Sequence, residues 1–110
     1  MRQKDIYLIN LNPTKGAEQQ GVRLAVVISG NTMNDNLDIC IICPITSKIK
    51  NYEACVVLKK SNLNNLTSNS EVITFQIRTI SKNRLIKKIG EISDQELKQI
   101  FLGINDIFIY

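Results

Sequence analysis

Apolar residues fall in short blocks along the chain, each closed by proline, glycine or an asparagine-rich stretch. Residues 5–12, DIYLINLN, set Ile6, Tyr7, Leu8, Ile9 and Leu11 among polar positions and predict a first strand that Pro13 ends. Residues 13–21 are polar, with Lys15, Glu18, Gln19, Gln20 and two glycines, and predict a mobile loop of the kind that often binds. Residues 22–29, VRLAVVIS, predict a second strand with Arg23 near its start, and GNTMNDN after it is turn chemistry. The longest apolar run, residues 37–48, predicts a strand buried on both faces. Pro44 has no N–H for a ladder, so the regular strand is expected to end about there, leaving Thr46 at a sheet edge or loop mouth.

The second half is more broken. Residues 54–59 predict a strand, and 60–70 a polar loop dense in Asn and Ser. Residues 71–81, EVITFQIRTIS, predict a strand or two strands meeting at a bend. Residues 85–92 predict a last strand, with Gly90 as a bulge or turn. Ser93 and Glu96 spell a capping box, and Leu97, Ile100, Phe101, Ile104 and Phe108 follow at helical spacing. The expectation is a mainly β chain with one C-terminal helix, folded as a small, strongly curved sheet or barrel. No repeat or linker divides residues 1–110, so one domain is expected.

Composition narrows the chemistry. The net charge of +4 suits phosphate or an acidic protein segment and requires neither. There is no histidine, which removes the commonest general base and the commonest metal ligand together. Cys40 and Cys43 are spaced as C-x-x-C, but residues three apart on a strand point to opposite faces, so they read as core rather than as metal ligands. No metal and no cofactor are expected. Neither a signal peptide nor a membrane span is evident, and a cytoplasmic protein is expected. Arg23 reads equally well as a phosphate fork or as an edge arginine with its stem on the sheet. Thr46, Ser47 and Lys48 read as a strand-end turn or as a site.

Four stretches together are more specific. LNPTKGAE (residues 11–18), GVRLAVVIS (21–29), PITSKIK (44–50) and QIRTISKNRL (76–85) occur in this order, followed by KIGEIS (88–93) and the terminal helix. In this combination the whole chain resembles the MazF/PemK family of toxin–antitoxin endoribonucleases. The resemblance implies an SH3-like barrel acting as a homodimer, and metal-independent, sequence-selective cleavage of single-stranded RNA (mRNA). It places catalysis on Arg23, Thr46 and Glu18, and RNA binding on Lys15, Gln19, Ser47, Lys48, Gln76, Arg78 and Thr79. It also implies an acidic, partly disordered cognate antitoxin as partner. RNA supplies its own nucleophile, the 2′-hydroxyl, so the protein's task is alignment and charge stabilisation. Proton transfer is left to Glu18, a water or a perturbed Arg23. The chain has Leu24 where the family usually has proline, and Phe75 where it commonly has an acidic residue, so no relative's cleavage sequence is carried over. Two alternatives share the fold: a CcdB-type toxin that binds DNA gyrase, and a member that binds RNA without cutting it.

Overall fold

The computed structural model describes residues 1–12, 16–18 and 21–109. Lys15 and Gln19 therefore lie outside the described residues. The elements are β1 (Asp5–Asn10), β2 (Val22–Val27), α1 (Asn31–Asn36), β3 (Ile39–Thr46), β4 (Val56–Leu58), β5 (Ser70–Val72), β6 (Arg78–Ser81), β7 (Leu85–Glu91) and α2 (Asp94–Ile107). The strands form one antiparallel sheet in the order β4-β5-β3-β2-β1-β7, with β6 also paired to β3. Mainly β with a C-terminal helix is thus the observed class.

Strand β3 is the hub because it changes partners along its length. Its first half pairs with β6 through Ile39–Ile42, and its end pairs with β5 through Ile45 and Thr46. Pro44 sits at the changeover. Contrary to the expected stop, the strand runs through Pro44, which pairs with Ala25 of β2. The Pro44 carbonyl accepts from Ile73 N at 2.9 Å, so its donor-less nitrogen faces that same side, between the start of β6 and the end of β5. No ladder bond is lost where β2 needs one.

Alternation along the strands gives two cores. Ile6, Val26, Cys43, Ile45, Val72 and Ile92 meet Leu97 and Ile100 of α2 on one face. Ile9, Ala25, Val27, Cys40, Ile42 and Ile80 pack on the other. Cys40 and Cys43 accordingly point to opposite faces, as their spacing requires. The Cys43 thiol is pushed up to about 12 by burial, reinforced by Cys55. Among the described residues no helix is long and apolar enough to cross a membrane.

The curved sheet closes on itself through a loop rather than a strand pair. Residues 61–66 reach β7, where Glu91 N donates to the Leu63 carbonyl (3.1 Å) and Asn65 Nδ2 donates to the Ile89 carbonyl (2.9 Å). Buried Asn64 shapes this loop by accepting from Ser61 N and Leu66 N and donating to the Lys59 carbonyl. A Cβ at Gly90 would lie 2.4 Å from the Asn64 carbonyl oxygen, so only glycine allows this approach. The β1–β7 register also shifts beside Gly90, the expected bulge.

The stretch read as a turn after β2 forms the short helix α1 instead. Its cause is Asn34, buried and bonded to Ser29 through both side chain and backbone (2.6 and 2.9 Å), which winds the asparagine-rich segment into one compact turn. At the other end, Ser93 and Glu96 form the reciprocal capping box that the sequence spells.

Candidate active site

Register brings the two expected catalytic side chains together. Leu24 of β2 pairs with Ile45 of β3, so the next positions outward on the two strands are Arg23 and Thr46. Leu24 and Ile45 face the α2 core, and Arg23 and Thr46 therefore leave from the opposite face. Thr46 also pairs with Glu71 of β5, and Arg78 of β6 pairs with Ile42 on this same face. One sheet face thus carries Arg23, Thr46, Glu71 and Arg78, each from a different strand.

Two grooves meet at the Arg23–Thr46 pair. The larger, about 380 Å³, is lined by Arg23, Thr46, Lys48, Lys50, Tyr52 and Gln76, with Phe75 and Ala17 at its walls. The smaller, about 280 Å³, runs the other way past Ser47, Leu66, Thr67, Ser68 and Ser70 and is rich in hydroxyls. Thr46 Oγ1 accepts from Lys48 N at 3.1 Å, which fixes the hydroxyl and leaves its proton to donate into the groove. Ser47 and Lys48 therefore fall on the two sides of Thr46, one in each groove.

Glu71 is the residue that sequence reading passed over. It is 1% exposed and accepts from Lys50 N (2.8 Å) and Tyr52 N (3.0 Å), tying residues 50–52 across the sheet. Buried Thr74 fastens the next part of that loop by donating to the Ala54 carbonyl at 2.8 Å. The available signal was a lone carboxylate inside a β-branched strand, which has to find partners when buried. Tyr52, an aromatic in a polar turn, was the other missed residue.

The remaining expected residues divide. Gln76 lines the larger groove and donates to the Ala17 carbonyl at 3.4 Å. Glu18 is exposed and ion-paired to Arg78 at 3.6 Å, placing it at the groove's rim beside Ala17. Thr79 is not brought in: it pairs with Ile41, on the side of the sheet away from Arg78, and lines neither groove. The basic group after β6 also turns away from the site. Lys82 donates to the Asn34 carbonyl, Arg84 to the Asn10 and Asn12 carbonyls, and Lys88 pairs with buried Asp5 at 3.2 Å. Among the described residues no group of three or more His, Cys, Asp or Glu is placed to hold a metal.

A small curved β-sheet protein with an arginine–hydroxyl pair where a cationic and a polar groove meet has the donor chemistry that suits a phosphodiester. Residues 2–108 match the family of PemK-like, MazF-like toxins of type II toxin–antitoxin systems, and the chain belongs to that family. A curated relative, endoribonuclease MazF of Staphylococcus saprophyticus, is 36% identical over 102 residues, covering 91% of this chain and 84% of its own length. Crystalline MazF from Deinococcus radiodurans superposes with a TM-score of 0.84 at 22% identity, covering 100% of this chain and 97% of that one. A mycobacterial endoribonuclease in complex with its cognate antitoxin gives 0.81 at 17% identity, covering 98% and 94%. These structural likenesses confirm the fold.

Proposed function

We propose that this toxin is a metal-independent endoribonuclease that cleaves single-stranded RNA between Arg23 and Thr46. The observation that carries the reading is the shared position of these two side chains at the junction of both grooves. A strand lying along the grooves has one phosphate at that junction. Arg23 holds its non-bridging oxygens through the guanidinium fork, and the Thr46 hydroxyl donates to the same phosphate. The neighbouring 2′-oxygen bonds to phosphorus as the bond to the 5′-oxygen breaks, giving a 2′,3′-cyclic phosphate and a 5′-hydroxyl. Glu18 takes the 2′-hydroxyl proton, and a water protonates the departing 5′-oxygen. It sits at the rim beside groove-lining Ala17, whereas Glu71 is already occupied by two backbone donors. Lys48 and Lys50 bind flanking phosphates, and Ser47, Gln76 and Arg78 contact sugar or base edges.

The same cationic groove suits the acidic tail of an antitoxin, which would block RNA by occupying it. A homodimer is supported by the apolar surface at the end of the chain, where Leu102 and Phe108 are 66% and 83% exposed. A messenger RNA substrate supports a cytoplasmic protein.

The test is cleavage of a long, mostly unstructured RNA in excess EDTA, with end mapping, for wild type and Arg23→Ala. Discrete cuts with 5′-hydroxyl ends that vanish in the variant are expected. A folded, antitoxin-free wild type that leaves the RNA intact sinks the reading.

A further inference from the structure

We propose that Phe75, seated edge-on to Tyr52, is the stacking platform for a base beside the scissile phosphate and a determinant of which sequence is cut; this rests on the endoribonuclease reading above. The two rings stand 5.2 Å apart at an interplanar angle of 83°. Both line the larger groove with Arg23, Thr46, Lys48 and Lys50, and they remain 47% and 46% exposed. Aromatic rings left half in water within a cationic groove offer an apolar face where phosphate-binding groups hold a backbone in reach. That combination recognises an unstacked nucleobase.

The platform is rigidly held. Tyr52 N is fixed to buried Glu71 at 3.0 Å, and Phe75 lies in a 3-10 turn, Thr74–Gln76, whose Thr74 hydroxyl anchors the Tyr52 loop at Ala54. The T-shaped contact leaves at least one Phe75 face unused by Tyr52. Adjacent Gln76 supplies a carboxamide able to read the edge of a base stacked there. Backbone held by Arg23 and the lysines, base face by Phe75 and base edge by Gln76 together define one nucleotide-binding position.

The experiment uses 2′-O-methyl RNA nonamers, which resist cleavage, built on the sequence mapped above with one 2-aminopurine moved through each position. Wild type is expected to quench the fluorophore most strongly at one position next to the cut. Phe75→Leu, which keeps apolar bulk without a ring, should bind about tenfold more weakly and lose that quench, within the range for one base–aromatic stack. It should also relax base preference at that position in cleavage mapping, while Phe75→Trp retains both. Cleavage and affinity unchanged in Phe75→Leu would overturn the inference alone and mark the rings as a protein-facing patch. Absence of cleavage by the wild type would remove the endoribonuclease reading and this inference with it.

Discussion

On the proposed reading Thr46 acts through its hydroxyl, which is held by Lys48 N at 3.1 Å while the backbone stays in the sheet. Thr46→Val keeps the shape and removes the donor, so kcat should fall about 10- to 100-fold with little change in KM, and Thr46→Ser should restore most of it. Glu71 acts differently, by holding residues 50–52 in place. Glu71→Gln keeps the volume but weakens two charge-assisted hydrogen bonds, so stability should drop by about 1–3 kcal/mol and KM for RNA should rise more than kcat falls. Cys43 supplies a pH signature. Its thiol ordinarily titrates at 9.0 but is raised to about 12 in the fold. Between those values the unfolded chain releases this proton and the folded chain keeps it. The associated stability is complete below pH 9 and is lost as pH rises toward 12, at about 1.4 kcal/mol per unit. Urea melts of Cys43→Val should therefore show a flatter alkaline decline than wild type.

At the scale of elements, α2 depends on its cap and on one tight contact. Ser93→Ala removes the hydroxyl that accepts from Glu96 N at 3.1 Å, which should cost about 1 kcal/mol in thermal or urea melts. Gly103 faces the Ala54 carbonyl, where an added Cβ would lie 2.0 Å from oxygen. Gly103→Ala should destabilise by about 3 kcal/mol and, because Ala54 is joined to Thr74, should also disturb the aromatic loop. Most elements were legible because their signals are local: alternation for β1 and β2, the S-x-x-E box for α2, the bend within residues 71–81. What escaped was set by long-range partners. Pro44 looked like a stop because only the β6-to-β5 changeover tells which side its missing N–H faces. Arg23 and Thr46 stood out by type and motif, whereas Glu71 showed only as a lone carboxylate in its strand until register placed it opposite Thr46. Thr79 entered with its motif and left by the parity of the strand.

For the whole molecule, the position of the positive charge matters more than its sum. Lys82, Arg84 and Lys88 serve carbonyls and Asp5 away from the grooves, whereas Arg23, Lys48 and Lys50 line the larger groove and on the proposed reading contact phosphate there. Binding of single-stranded RNA should accordingly weaken with salt at a log–log slope of about −2, from three contacts at about 0.7 each. A much steeper slope in a titration would mean that the backbone is tracked well beyond these grooves.

The sheet is sealed between β4 and β7 by the Asn64 loop, and that loop also supplies Leu66, Thr67 and Ser68 to the smaller groove. A seam crossed by a few hydrogen bonds opens more readily than a strand ladder, so amide exchange at Glu91 should be faster than at Val26 in the centre of the sheet. Nucleic acid lying against Thr67 and Ser68 would hold the same loop shut. Bound RNA should then slow deuterium uptake at the seam, turning the substrate into a temporary clasp for the fold that cuts it.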